Sequence, residues 1–137
     1  MYDGGLLMPT SMLNAMLEEF QRSVVPLLKT MPDETERILC FVAWINTFLE
    51  KNSIGRLVVV GGFVVEVFTG STYRTLDVDV VVEGEGAVEL LEGFLGAISE
   101  EKSGRVYIPK MRPIASRGVD IVATSYNKPR KPIKITI

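Results

Sequence analysis

The sequence predicts an α/β domain of the α+β kind, a mixed β-sheet flanked by helices, with two N-terminal helices ahead of the sheet. Three observations lead there. Residues 10–51 carry apolar positions at helical spacing. Residues 56–137 alternate β-branched runs with further helical stretches, and glycines and prolines punctuate the changes. The resulting order is two helices, strand, helix, strand, helix and three strands, which packs as helices on a sheet. One domain of 137 residues accommodates it. Within that domain, residues 10–51 are the helical pair and residues 56–137 the sheet core that holds the site.

Met1 to Pro9 is glycine-rich and reads as loose chain. From Ser11, a cap, the residues Leu13, Met16, Leu17, Phe20, Val24, Leu27 and Leu28 recur on one side of a first helix. Pro26 is expected to kink that helix or end it early, because it lacks an N–H and crowds the preceding turn. Asp33 followed by Glu36 resembles a capping box, and Ile38, Phe41, Val42, Ile45, Phe48 and Leu49 give the second helix an apolar face. Phe41, Trp44 and Phe48 belong to core or interface, and Cys40 is expected to be a small buried apolar residue.

Arg56 to Val60 reads as a buried strand that Gly61-Gly62 stops. Phe63 to Thr69 reads as a short helix packed on the sheet, with Glu66 at its surface, and Gly70 to Leu76 as a loop. Asp77 to Glu83 is the second strand. Glu85 to Ser99 is a helix with Val88, Leu91, Leu95 and Ile98 on one side. Arg105 to Ile108 and Gly118 to Thr124 are further strands, separated by a turn around Pro109 to Pro113. Lys131 to Ile137 is the last.

Apolar residues make up 47% and charged residues 23%, a composition that folds. The net charge of −2 supplies no overall field for nucleic acid. Lys128, Arg130, Lys131 and Lys134 read as the solvated flank of a strand. With Cys40 as the single cysteine there is no internal disulfide, which fits a reducing compartment. Leu57 to Val65, the longest apolar run, is too short to cross a bilayer, and no basic stretch leads an apolar core at the N-terminus. A cytoplasmic protein with no membrane association is the expectation. The mean hydropathy of +0.24 is high for a small soluble monomer, so a partner protein, a second copy in a homodimer, or chain beyond Ile137 is expected to cover apolar surface. A single glutamine, Gln21, and no histidine fit a thermophilic source. Lacking histidine, the chain has no imidazole base or ligand, and any metal must be held by oxygen. That points to Mg²⁺ or Mn²⁺.

Chemistry concentrates between Val60 and Val82. Asp77 and Asp79 are two apart on a strand, so both side chains stand on one face. Adjacent carboxylates repel, and aspartate is a poor strand former, so a cation between them gives the arrangement a reason. Gly61-Gly62 follows a strand and precedes a helix, where backbone N–H groups can approach a phosphate. Asp120 lies in a third apolar strand. If that strand pairs beside the Asp77 strand, three carboxylates converge, and Asp120 is placed to ligate a second metal and help deprotonate an attacking hydroxyl.

Gly61-Gly62, Thr69-Gly70, Arg74-Thr75 and Asp77-Val78-Asp79 together resemble the DNA polymerase β-like nucleotidyltransferase superfamily, in its small prokaryotic branch of minimal nucleotidyltransferases and toxin–antitoxin partners. The pattern covers Leu57 to Glu83, with Asp120 matching the third acid. The resemblance implies a nucleotidyltransferase-like fold and transfer of a nucleoside monophosphate, most simply AMP from ATP, to a protein or nucleic-acid hydroxyl. It assigns Gly61 and Gly62 to the triphosphate, Asp77, Asp79 and Asp120 to the metals and catalysis, and Arg74 and Thr75 to supporting nucleotide contacts. Gly-Gly stands where Gly-Ser is commoner in the family. From another class comes the alternative, a nucleotide-binding module that acts as an antitoxin-like or regulatory subunit by holding a small helical partner protein. The neutral glycine loop and the apolar excess favour it.

Overall fold

A computed structural model describes residues 8–70, 77–103, 106–109 and 117–121 of the chain. The first helix, α1 (Met8–Glu19), passes into a π-helical turn over Phe20–Val24 and then α2 (Val25–Leu28). Met16, Phe20, Val24 and Leu28 are buried, a spacing that keeps one side of this run against the core. Around Pro26 the helix is disturbed as a π-helical turn just ahead of it, and it ends two residues beyond, at Leu28. The Val25 N–H donates to the Phe20 carbonyl across the wider turn, and Pro26 falls in the first turn of α2. There a missing N–H costs least, and the loosened turn ahead accommodates the ring.

The second long helix, α3 (Glu34–Lys51), starts as the sequence indicates, with Asp33 Oδ2 accepting from the Glu36 N–H at 3.3 Å. Its six expected core residues, Ile38 through Leu49, are all buried. Cys40 is only partly buried, at the edge of that face. Trp44 is half-buried and donates from Nε1 to Glu19 Oε2 at 2.8 Å, which satisfies its one polar atom. Phe20 meets Phe94 edge-on, at 5.2 Å between ring centres, and Trp44 lies 5.5 Å from the same ring. This aromatic group joins α3 and the π-helical turn to α5 (Glu85–Ile98).

The sheet is mixed, in the order β1-β2-β5-β4-β3 among the described residues. β1 (Arg56–Val60) runs antiparallel to β2 (Asp77–Glu83), and α4 (Gly62–Phe68) lies between them in sequence. β5 (Gly118–Ile121) runs parallel to β2 on its other side. β4 (Val106–Pro109) is antiparallel to β5, and β3 (Ser99–Ser103) to β4. Sequence reading assigned Ser99 to a helix and saw no strand here. The segment Ser99-Glu100-Glu101-Lys102-Ser103 has no apolar alternation, and pairing with β4 makes it a strand. The segments 122–124 and 131–137, read as strand, lie outside the described residues, as do the basic residues of 128–134.

The two sheet faces differ. Leu57, Val59, Val78, Val80, Val82, Val119 and Ile121 join the helices in one core. Val58, Val60 and Val81 form a separate buried cluster on the opposite face. That face continues along β2 into Asp79 and Asp77, by the two-residue period of a strand. Among the described residues no helix is long and apolar enough to cross a membrane.

Because Phe94 is fully buried between the helices, Phe94→Ala is expected to cost about 3–5 kcal/mol. Chemical denaturation checks this as a lower midpoint with an unchanged slope.

Candidate functional site

Asp77 and Asp79 stand half-buried on the sheet face away from the helices, alternating with Val78 and Val80 in the core. β2 occupies an inner position, and its two neighbours set what surrounds Asp79. Across the antiparallel pairing Asp79 lies opposite Val60, the last residue of β1. Across the parallel pairing it lies opposite Asp120, and Asp77 lies opposite Gly118. Neighbouring strands are roughly 4.8 Å apart and alternate residues roughly 7 Å apart along a strand. The expectation that the Asp120 strand pairs beside the Asp77 strand therefore holds, and the three carboxylates share one face. Among the described residues they are not drawn together as a closed ligand group.

Gly61 follows Val60 directly and has φ +75° and ψ −150°, a conformation that a residue with a side chain rarely adopts. A Cβ at this position would lie 3.0 Å from Asp79 Oδ2. The backbone angles call for glycine, and the turn runs close against the carboxylate. Gly62 opens α4, so the chain leaves β1, passes Asp79 and enters a helix within two residues. Arg74 and Thr75, and Tyr73 beside them, lie outside the described residues.

Electrostatics mark Asp79. Burial, and then the neighbouring charges of Asp120 and Asp77, hold its carboxyl above the ordinary aspartate range. A cation beside these groups would reverse that penalty. The donor chemistry fits a hard divalent ion, since all three side chains offer oxygen, and it fits Mg²⁺ or Mn²⁺ better than a metal that prefers nitrogen or sulfur.

Two charged residues escaped the sequence reading. Glu66 was expected at the surface of the short helix and is instead 1% exposed. It lies one turn beyond Phe63 on the inward side of α4, whereas Val65 and Phe68 face outward. Its partner is Arg117, which immediately precedes β5 and is 4% exposed. The guanidinium forks onto the carboxylate, Nη1 to Oε1 at 2.7 Å and Nη2 to Oε2 at 2.9 Å. Glu34 Oε1 stands 3.5 Å from Arg117 Nη2, and the Thr35 hydroxyl donates to Glu66 Oε2 at 3.4 Å. A glutamate inside the apolar run Phe63 to Phe68 was the one available signal; its partner, 51 positions away, leaves no trace in local pattern.

No protein-family model matches this chain, and neither a curated protein nor a solved structure matches it.

The raised pKa of Asp79 has a definite sign for stability. When the folded form holds its proton more tightly than the unfolded chain, stability falls as pH rises from the ordinary aspartate range through the folded value. Metal-free Asp79→Asn is therefore expected to melt a few degrees above wild type at neutral pH. The gap should close in acid, where Asp79 is protonated in both states, and thermal scans across pH check it.

Proposed function

We propose that this chain is a metal-dependent nucleotidyltransferase of the polymerase β-like kind, acting in the cytoplasm. One observation carries the reading: Asp79 is flanked by the Gly61 turn on one side and by Asp120 on the other. A carboxylate trio alone would fit many sites. A trio against a side-chain-free backbone turn at the start of a helix suits a triphosphate with its divalent ion.

In this reading Asp77 and Asp79 hold Mg²⁺ or Mn²⁺, and Asp120 completes the ligand set. A divalent ion at that place supplies neutralisation of the phosphate charge, the largest need of phosphoryl and nucleotidyl transfer. Gly61 and Gly62 admit the triphosphate close to Asp79, while Arg74 and Thr75 make the supporting contacts that the family resemblance implies. Asp120 accepts the proton of the attacking hydroxyl. The new bond joins that oxygen to the α-phosphorus, the bond to the bridging oxygen breaks, and pyrophosphate leaves. ATP is the simplest donor, and the acceptor is a protein or RNA hydroxyl.

A second reading has its own observation. Phe68 is 72% exposed and Val65 49% exposed on α4, the helix that follows the glycine turn. Exposed apolar residues on that helix favour a regulatory or antitoxin-like module that keeps the nucleotide site and covers this face with a small helical partner or a second copy.

ATP labelled at the α-phosphate separates the two. Incubated with Mg²⁺ and the purified chain, a pool of RNA and protein acceptors is expected to gain the label and release unlabelled pyrophosphate. Asp77→Asn/Asp79→Asn should lower the rate by about a thousandfold or more, the scale of losing a principal electrostatic contributor. Label on no acceptor, with nucleotide still bound, would leave the binding module.

A further inference from the structure

Glu66 and Arg117 take no part in the transfer chemistry, yet they are the two buried charged side chains among the described residues. A buried ion pair is a weak source of stability, because desolvating both charges offsets most of their attraction. Its best-attested use is to fix a register.

The pairing of β5 with β2 needs such a device. Among the described residues β5 comprises Gly118–Ile121, paired from Asp77↔Gly118 to Val80↔Ile121. A slip by one residue would turn Val119 and Ile121 out of the core and Asp120 into it, so the apolar pattern alone forbids it. A slip by two is different. Moved so that Asp120 faces Asp77, the chain brings Ile121 opposite Val78 and Ala123 opposite Val80, so the core stays apolar and Asp120 keeps its face. It also carries Asp120 roughly 7 Å along the strand, away from Asp79.

Arg117 forbids that movement. It sits directly before Gly118 and on the helix side, where its fork meets Glu66 at 2.7 and 2.9 Å. The guanidinium also lies 5.4 Å over the Phe63 ring, and Thr35 and Glu34, at the start of α3, steady the two partners. A two-residue slip would pull the planar fork from a carboxylate that α4 holds in place and leave both charges buried apart.

We propose that the Glu66–Arg117 ion pair is the register lock of β5, the device that sets Asp120 beside Asp79, and that both are positioning residues of the carboxylate site. Their link to catalysis rests on the transferase reading above. The lock itself does not, since it concerns only which residues of β5 face which residues of β2. It also ties the glycine turn to the third acid, because Glu66 belongs to the helix that Gly62 opens.

The test uses the full chain with Glu66→Leu/Arg117→Met, which replaces both charges by apolar groups. Backbone NMR contacts between Val78 and Val119 and between Val80 and Ile121 report register, and Mn²⁺ alone is the binding probe. In the variant these contacts are expected to vanish or move by two residues while α3 and α5 keep their signals. Mn²⁺ affinity should fall by about tenfold. Adding Asp120→Asn should cost about tenfold in the wild type and less than about twofold in the variant, the non-additivity of groups that act as one unit. Arg117→Lys, which keeps the charge and loses the fork, should show mixed β5 signals. Unchanged β2–β5 contacts in either folded variant overturn the lock. If neither variant folds, the pair is a requirement of folding and the register assignment falls. Shifted contacts with no Mn²⁺ binding to the wild type leave the lock standing and overturn the metal site instead.

Discussion

Asp79 occupies the crossing of two strand pairings, opposite Val60 in the antiparallel one and opposite Asp120 in the parallel one. The rest of the site follows from placing a charged group there. Because Val60 ends β1, the next residue must turn the chain beside the carboxylate, and Gly61 with its positive φ is the residue that can. Because Asp120 stands on the other flank, negative charge accumulates and Asp79 holds its proton above the usual range, with burial as the larger cause. A sheet selected only for stability would place an apolar or β-branched residue at such a position. The electrostatic penalty is local and specific, and it lies where a cation would relieve it.

The opposite face of the same strands does different work. Val78, Val80 and Val119 alternate with the acids and pack under α3 and α5, so each acid is flanked by residues held in the core. The aromatic group around Phe20, Trp44 and Phe94 fixes how the helices sit on that layer. At the junction between the layers, Arg117 and Glu66 join the start of β5 to α4, and Glu34 and Thr35 bring in the first turn of α3. The carboxylates are thus carried on strands packed against the helices, the kind of support a site for ordered ligands uses.

Legibility in the sequence followed the range of each signal. β2 was readable end to end because its alternation and its bounding residues are local, and the shared face of Asp77 and Asp79 needed only the period of a strand. The cap of α3 was equally local, since Asp33 reaches only to Glu36. Asp120 could be placed only conditionally, as its relation to Asp79 depends on a parallel pairing across 41 positions of chain. Glu66 was misplaced because an isolated glutamate ordinarily faces water, and the fork from the distant Arg117, with the Thr35 hydroxyl, makes its burial tolerable. The polar strand β3 was invisible because its partner, rather than its composition, makes it a strand. Pro26 marked the place of the disturbance but not its form, because the π-helical turn ahead of it is set by how the backbone relieves the crowding of the ring.

The most direct measurement is calorimetric titration of ATP with Mg²⁺ into the wild-type chain, set beside the Asp77→Asn/Asp79→Asn variant and a metal-free control. Binding that needs the metal and disappears in the variant is the outcome that the carboxylate site predicts. A folded wild type that binds neither ATP nor any other nucleoside triphosphate with Mg²⁺ or Mn²⁺ would contradict it.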